Sequence, residues 1–356
     1  MDRFRSKGLP LDSSLLDPHA RALSEVTYLF WGDGSKHLEQ LHSLNDSPVS
    51  YWKFYTEECS HALHDGGRHI AIRTHADIVE IASQLQAGLT RADIKENIRK
   101  KLTSSHSNQD EILENSVNLV SSLLLMIHCG TFSYGFSGCT ELQWEQGSLR
   151  QHVARYFADP PVLSHERVKL EKNFTGPNLS RIAGLEIVWT DNLIDHLRMS
   201  DDDTRVHIFH HAAFLECQRR SQKSLFPEGV AAETLQTLAL LFPTADTETK
   251  KWFLKAAATT QLDGRAIQCG RLRSDRRQIE NFKFWRDRLV MLKQVFDEAQ
   301  PRTISQWWND RRNGVQWYTF WVAVLVLVLT IVFGFIQSVE GALQVYASFK
   351  SMSGPA

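Results

Sequence analysis

The chain is poor in cysteine. Its 356 residues hold five, Cys59, Cys129, Cys139, Cys217 and Cys269, with no CxxC pair among them. A scattered, odd set excludes the disulfide framework of a small secreted domain and the paired ligands of a zinc ribbon, and it fits reduced thiols in a cytosolic region. Net charge is lacking too. Forty Lys and Arg stand against 41 Asp and Glu, so no overall basic field favours nucleic acid, which is not an expected partner. Internal repeats and low-complexity linkers are missing, which excludes solenoids and long disordered arms. The common catalytic signatures are also missing: neither GxxxxGK[ST] nor GxGxxG offers a phosphate cradle, and there is no HExxH. Gly135-Phe-Ser137-Gly138 sets its second glycine one position early for a G-x-S-x-G elbow. No cofactor is expected. The basic start, Met1 to Lys7, leads into Gly-Leu-Pro-Leu-Asp rather than a long apolar run, so no secretory signal is expected either.

One further absence is local. From Asn313 to Val339 there is no Asp, Glu, Lys or Arg. Within that stretch Phe320 to Ile336 reads FWVAVLVLVLTIVFGFI, mostly Leu, Ile, Val and Phe, which favours the bilayer by about 4 to 8 kcal/mol on an insertion scale. A helix over 315–339, at about 1.5 Å per residue, reaches about 37 Å and spans a hydrocarbon core of about 30 Å with some tilt. Arg302, Arg311 and Arg312 precede the run and only Lys350 follows it, so the positive-inside bias puts the N-terminal side in the cytosol, giving a tail-anchored, single-pass arrangement. Trp307 and Trp308 with Arg311 and Arg312, then Trp317, Tyr318 and Trp321, are the expected interface residues. Gly334, Ser338 and Ala342 form a small-xxx-small row that would let a second helix approach, the route by which a homo-oligomer would form. Asn45, Asn173 and Asn178 open glycosylation sequons that matter only if the topology is reversed.

The preceding 300 residues read as mainly α with a few short strands. The expected organisation is an α/β-like region over 1–110, a mainly helical region over 111–300, a juxtamembrane segment over 301–314, the membrane helix over 315–339 and a short tail over 340–356. Strands are expected at 26–31, 69–73 and 185–190, and helices at 110–128, 191–199, 204–219, 233–241, 247–258 and 275–298. The last carries Ile279, Phe282, Trp285, Leu289, Leu292 and Phe296 at steps of three and four. A capping box over 303–306 and a kink at Asn313-Gly314 are expected before the membrane helix.

Fifteen histidines raise the question of a metal. On the expected helix over 204–219, extended back to Asp203, the residues Asp203, His207 and His211 fall at i, i+4 and i+8, which presents one carboxylate and two imidazoles along one face. Packed or surface histidines are the competing reading. A second group, Cys59, His61, His64, His69 and His75, matches no zinc spacing.

The strings Gln306-Trp-Trp-Asn-Asp-Arg-Arg, Val315-Gln-Trp-Tyr-Thr-Phe-Trp, Phe209-His-His-Ala-Ala-Phe-Leu and Arg277-Gln-Ile-Glu-Asn-Phe-Lys-Phe-Trp resemble a family of filamentous-fungal single-pass membrane proteins, over roughly the last two thirds of the chain. The resemblance implies the membrane topology and brings no activity, cofactor or catalytic residue. The expected function is a membrane-anchored, non-enzymatic protein-interaction or regulatory module whose partners are the lipid bilayer and an unidentified protein. A membrane-tethered metal-dependent hydrolase or a helper subunit of a membrane complex is the alternative.

Overall fold

The computed structural model describes residues 10–16, 20–32, 49–102, 108–130, 138–160, 162–163, 168–299 and 314–352. The chain forms two compact units: Met1–Ser180 with Leu185–Glu298, and Arg181–Gly184 with Ala299–Ala356. Residues on both sides of 110 lie within the first.

That unit is built from short helices that the sequence starts deliberately. Before α3 (His75–Gln86), Thr74 Oγ1 accepts from Asp77 N at 3.3 Å while Asp77 Oδ2 accepts from Thr74 N at 2.9 Å. The same reciprocal box opens α4 (Arg91–Arg99) through Thr90 and Asp93, and α6 (Leu149–Tyr156) through Ser148 and Gln151. Each cap satisfies amides the helix leaves unpaired and is worth about 1 kcal/mol. Between them α5 (Gln109–Leu125) runs through the core, as expected, with its second half buried on every face. Two of its three hydroxyls are satisfied internally, Ser116 Oγ donating to Ile112 O and Ser121 Oγ to Val117 O, and the third, Ser122 Oγ, accepts from Cys129 N.

Two expected strands near the front are not formed. Residues 26–31 belong to α1 (Ala20–Trp31), where Ala22, Val26 and Phe30 recur every four residues and are all fully buried, so helical burial overrides β-propensity. Residues 69–73 form no named strand; Ala71 N bonds to Ser116 Oγ. The aromatic side chains of α1 and α2 (Val49–Ala62) share their core with later residues: Trp31 meets Phe214 edge-on at 5.7 Å and Tyr51 stacks on Phe214 at 6.0 Å. Tyr51 also donates its hydroxyl to Leu123 O.

After the short helix α7 (Gly176–Arg181) comes a small sheet, of order β1-β3-β2, with β1 (Glu186–Thr190) parallel and β2 (Met199–Ser200) antiparallel to β3 (Arg205–Phe209). The first of these strands was expected; the helices over 191–199 and 204–219 were not found as such. Residues 193–195 make a single 3-10 turn. Asp201, Asp202 and Asp203 take consecutive left-handed conformations, φ 52°, 51° and 60°, and turn the chain back on itself instead of capping a helix. Asp and Asn tolerate that region better than other residues with a side chain. Arg205–Phe209 then extends, burying Val206, Ile208 and Phe209, and only at Ala212 does α8 (Ala212–Arg220) begin.

Helices α9 (Val230–Leu241), α10 (Thr247–Thr260) and α11 (Arg286–Glu298) complete the unit. The apolar positions expected over 275–298 are all buried, but 3-10 turns carry Ile279 and only the part after Trp285 is helical. All five cysteines are free.

The second unit holds α12, Gly314–Met352. Trp317–Phe349 within it is long and apolar enough to cross a membrane, and its apolar side chains are exposed. Its 39 residues reach about 58 Å, so the helix continues well beyond the expected end at Val339. The expected capping box over 303–306, and Asn313 of the expected kink, lie outside the described residues.

Candidate functional site

Parallel strands end together, and here the register pairs Thr190 with Phe209. The next residues, Asp191 after β1 and His210-His211 after β3, therefore emerge side by side at the carboxyl edge of the strands, where open α/β sheets place their ligand sites. His211 Nε2 lies 2.5 Å from Asp191 Oδ1 and His210 Nε2 lies 3.4 Å from the same oxygen. The two rings stack with centroids 4.0 Å apart. Both imidazoles are buried, whereas the carboxylate side chain is 47% exposed and faces the rim.

Burial and the mutual contacts of these groups set the charge in this site. Burial pushes the His210 ring down to about 4, helped by the neighbouring His211, while Asp191 opposes. At Asp191 burial acts to raise the carboxyl, but the hydrogen bonds and charges of His210 and His211 outweigh it and hold the group well below the usual carboxylate range. The backbone N–H of Asp263 donates to His210 Nδ1 at 3.2 Å, so the neutral ring carries its proton on Nε2, facing Asp191. Asp263 is itself buried and accepts from Ala213 N and Arg265 N.

Near enough to Asp191 to feel its charge is Glu58 of α2. Burial, then the repulsion of Asp191 and Glu57, pushes its carboxyl from 4.5 to about 7. Beneath the strand ends, Asn192 and Asp195 brace the loop that carries Asp191. Asn192 Nδ2 donates to Thr140 O and Asp195 Oδ2, and Asn192 Oδ1 accepts from His128 N. Asp195 is fully buried, accepts from Thr140 N and lies 2.7 Å from Arg198 Nε.

The expected triad of Asp203, His207 and His211 is not assembled, because its premise was a helix. Asp203 lies in the hairpin turn before β3, His207 lies mid-strand with Nε2 2.9 Å from Ser200 Oγ, and His211 follows the far end, about 16 Å of strand away from the turn. Only His211 belongs to the group that forms, Asp191, His210 and His211. The missed members carried a legible signal: a carboxylate and a His-His pair immediately after two short β-branched runs. Which runs would pair was not legible. Glu58 had no signal, since it comes from a helix some 130 residues earlier.

The second histidine group disperses. Cys59 is buried and its thiol pushed well up by that burial, His75 meets Tyr55 Oη at 2.7 Å, His64 meets Asp65 at the surface, and His69 meets Glu111 at 4.0 Å. Of the interface residues, Trp307, Trp308, Arg311 and Arg312 lie outside the described residues, while Trp317, Tyr318 and Trp321 cluster at the start of α12 with centroids 5.1 and 6.2 Å from Trp317. Gly334, Ser338 and Ala342 follow one exposed line of that helix, and Ser338 Oγ is turned back onto Gly334 O at 2.9 Å. Asn45 lies outside the described residues. Asn173 and Asn178 line a recess of about 400 Å³ with Asp246, Arg271 and Arg277, and Asn178 Nδ2 donates to Asn173 O. Compared with known protein families, curated proteins and solved structures, the chain matches none.

Proposed function

We propose that this chain is a single-pass membrane protein that holds its helical unit against the cytosolic face of a bilayer, where the unit serves protein interaction or regulation. The observation that carries this reading is α12, a continuous helix of 39 residues with no charged side chain from 315 to 339. The arginine bias before the helix supports the cytosolic orientation. Alkaline carbonate extraction of cell membranes tests the anchor: the full chain stays with the membrane and a chain ending at Asn313 is released. Release of both overturns it. Proximity labelling with the same pair identifies the compartment and the protein partner. Membership of the fungal single-pass family is part of the same proposal, resting on the strings around Trp307, Trp317 and His210.

A membrane-tethered hydrolase is the second reading. One observation favours it, the convergence of Asp191, His210 and His211 at a sheet edge beside a carboxyl that titrates near neutrality.

A further inference from the structure

We propose that Asp191, His210 and His211 bind a divalent transition-metal cation, with two imidazole nitrogens and one carboxylate oxygen as protein ligands and the remaining positions left to water or substrate. This goes beyond the anchoring reading and stands whether or not the unit is an enzyme.

The ligand set is chemically selective. Two neutral imidazoles and one carboxylate are what first-row divalent ions take when positions are kept open for water or substrate, and they do not suit magnesium or calcium, which demand oxygen. The spacing agrees. Ligands about 2.0 to 2.1 Å from a tetrahedral ion stand about 3.3 to 3.4 Å apart, and His210 Nε2 lies 3.4 Å from Asp191 Oδ1. The His211 contact at 2.5 Å is a direct hydrogen bond, so it must open by roughly 0.8 Å to seat an ion by the same geometry. Asp191 is the mobile side of that contact, since it is the half-exposed partner and the rings are buried.

Protons balance as follows. Each ring must offer Nε2 as a lone pair, so its proton moves to Nδ1. In His211 that nitrogen is buried without a hydrogen-bond partner among the described residues, so the shift breaks no bond there. In His210 the shift gives up the 3.2 Å bond from Asp263 N–H, a cost that the metal–nitrogen bond must exceed. The Asp191 carboxylate exchanges two imidazole donors for the cation. Neither oxidant nor reductant is involved.

The test uses the full chain in detergent, stripped with a chelator, supplied with zinc, desalted and measured by elemental analysis. About one zinc per chain is expected. Asp191→Asn and His211→Ala are expected to retain almost none, with His207→Ala unchanged as the control on β3. Because His211→Ala removes a core ring, thermal unfolding is read in parallel: zinc raises the midpoint of the wild type and of His207→Ala and leaves that of the rim variant Asp191→Asn in place. No retained zinc in the wild type, or equal retention and equal midpoint shift in wild type and Asp191→Asn, overturns the site.

Discussion

Glu233 accepts three backbone hydrogen bonds on the approach to α11, from the N–H groups of Lys283, Phe284 and Trp285, each at 2.8 Å, while the adjoining Thr234 takes the indole N–H of Trp285 at 2.9 Å. One buried carboxylate thus ties the start of α11 to α9 across fifty residues of chain. Burial raises its carboxyl and the three amides oppose that shift.

Glu233→Gln keeps the shape but offers one acceptor oxygen where two are used, and it turns an amide donor toward a backbone N–H. A loss of about 2 kcal/mol is expected, from a buried donor left unpaired. Urea denaturation of the full chain in detergent measures it, and a change below about 0.5 kcal/mol would contradict this role.

Glu58 gives a pH dependence of opposite sign to an ordinary surface acid. Its folded carboxyl is raised from 4.5 to about 7, so the stability it contributes is full below 4.5 and is lost as pH rises through 7. Glu58→Gln is expected to be more stable than the wild type at pH 8 by about 1 to 3 kcal/mol, the difference vanishing near pH 4. Paired denaturation curves at the two values decide it.

Two buried rings act in the other direction. His196, whose Nε2 donates to Thr237 Oγ1 and whose Nδ1 accepts from Phe209 N, is pushed down to about 3 by burial and Arg288, and His210 is pushed down to about 4. Their contribution is complete above 6.5 and falls as acid protonates the unfolded rings first. Between pH 6.5 and 5 each should cost about 2 kcal/mol. His210→Asn should flatten the acid limb by about that amount, as read from midpoints across the range.

Self-association through α12 is tested by Gly334→Leu, which places a bulky side chain at the start of the row it forms with Ser338 and Ala342. If that row is the contact, crosslinked dimer in membranes should fall at least severalfold, while Val328→Leu, on the same apolar span, leaves it unchanged. Glycan mapping at Asn173 bears on orientation: no glycan is expected with the unit in the cytosol.

The apolar helix α12 was legible along its uncharged run, though not at its end, which lies beyond Val339, because an uninterrupted apolar run needs no distant partner to be recognised. The core positions Ile279, Phe282, Trp285, Leu289, Leu292 and Phe296 were legible for a related reason: periodicity records burial even where the backbone is a 3-10 turn. Residues 204–211 show the limit. Their histidine spacing suits a helix locally, and only the pairing of β3 with β1, together with three left-handed aspartates, makes them a strand. That choice decides the site, since a strand sends His207 to Ser200 and delivers His210 and His211 to Asp191, which a register set by long-range packing alone brings within reach.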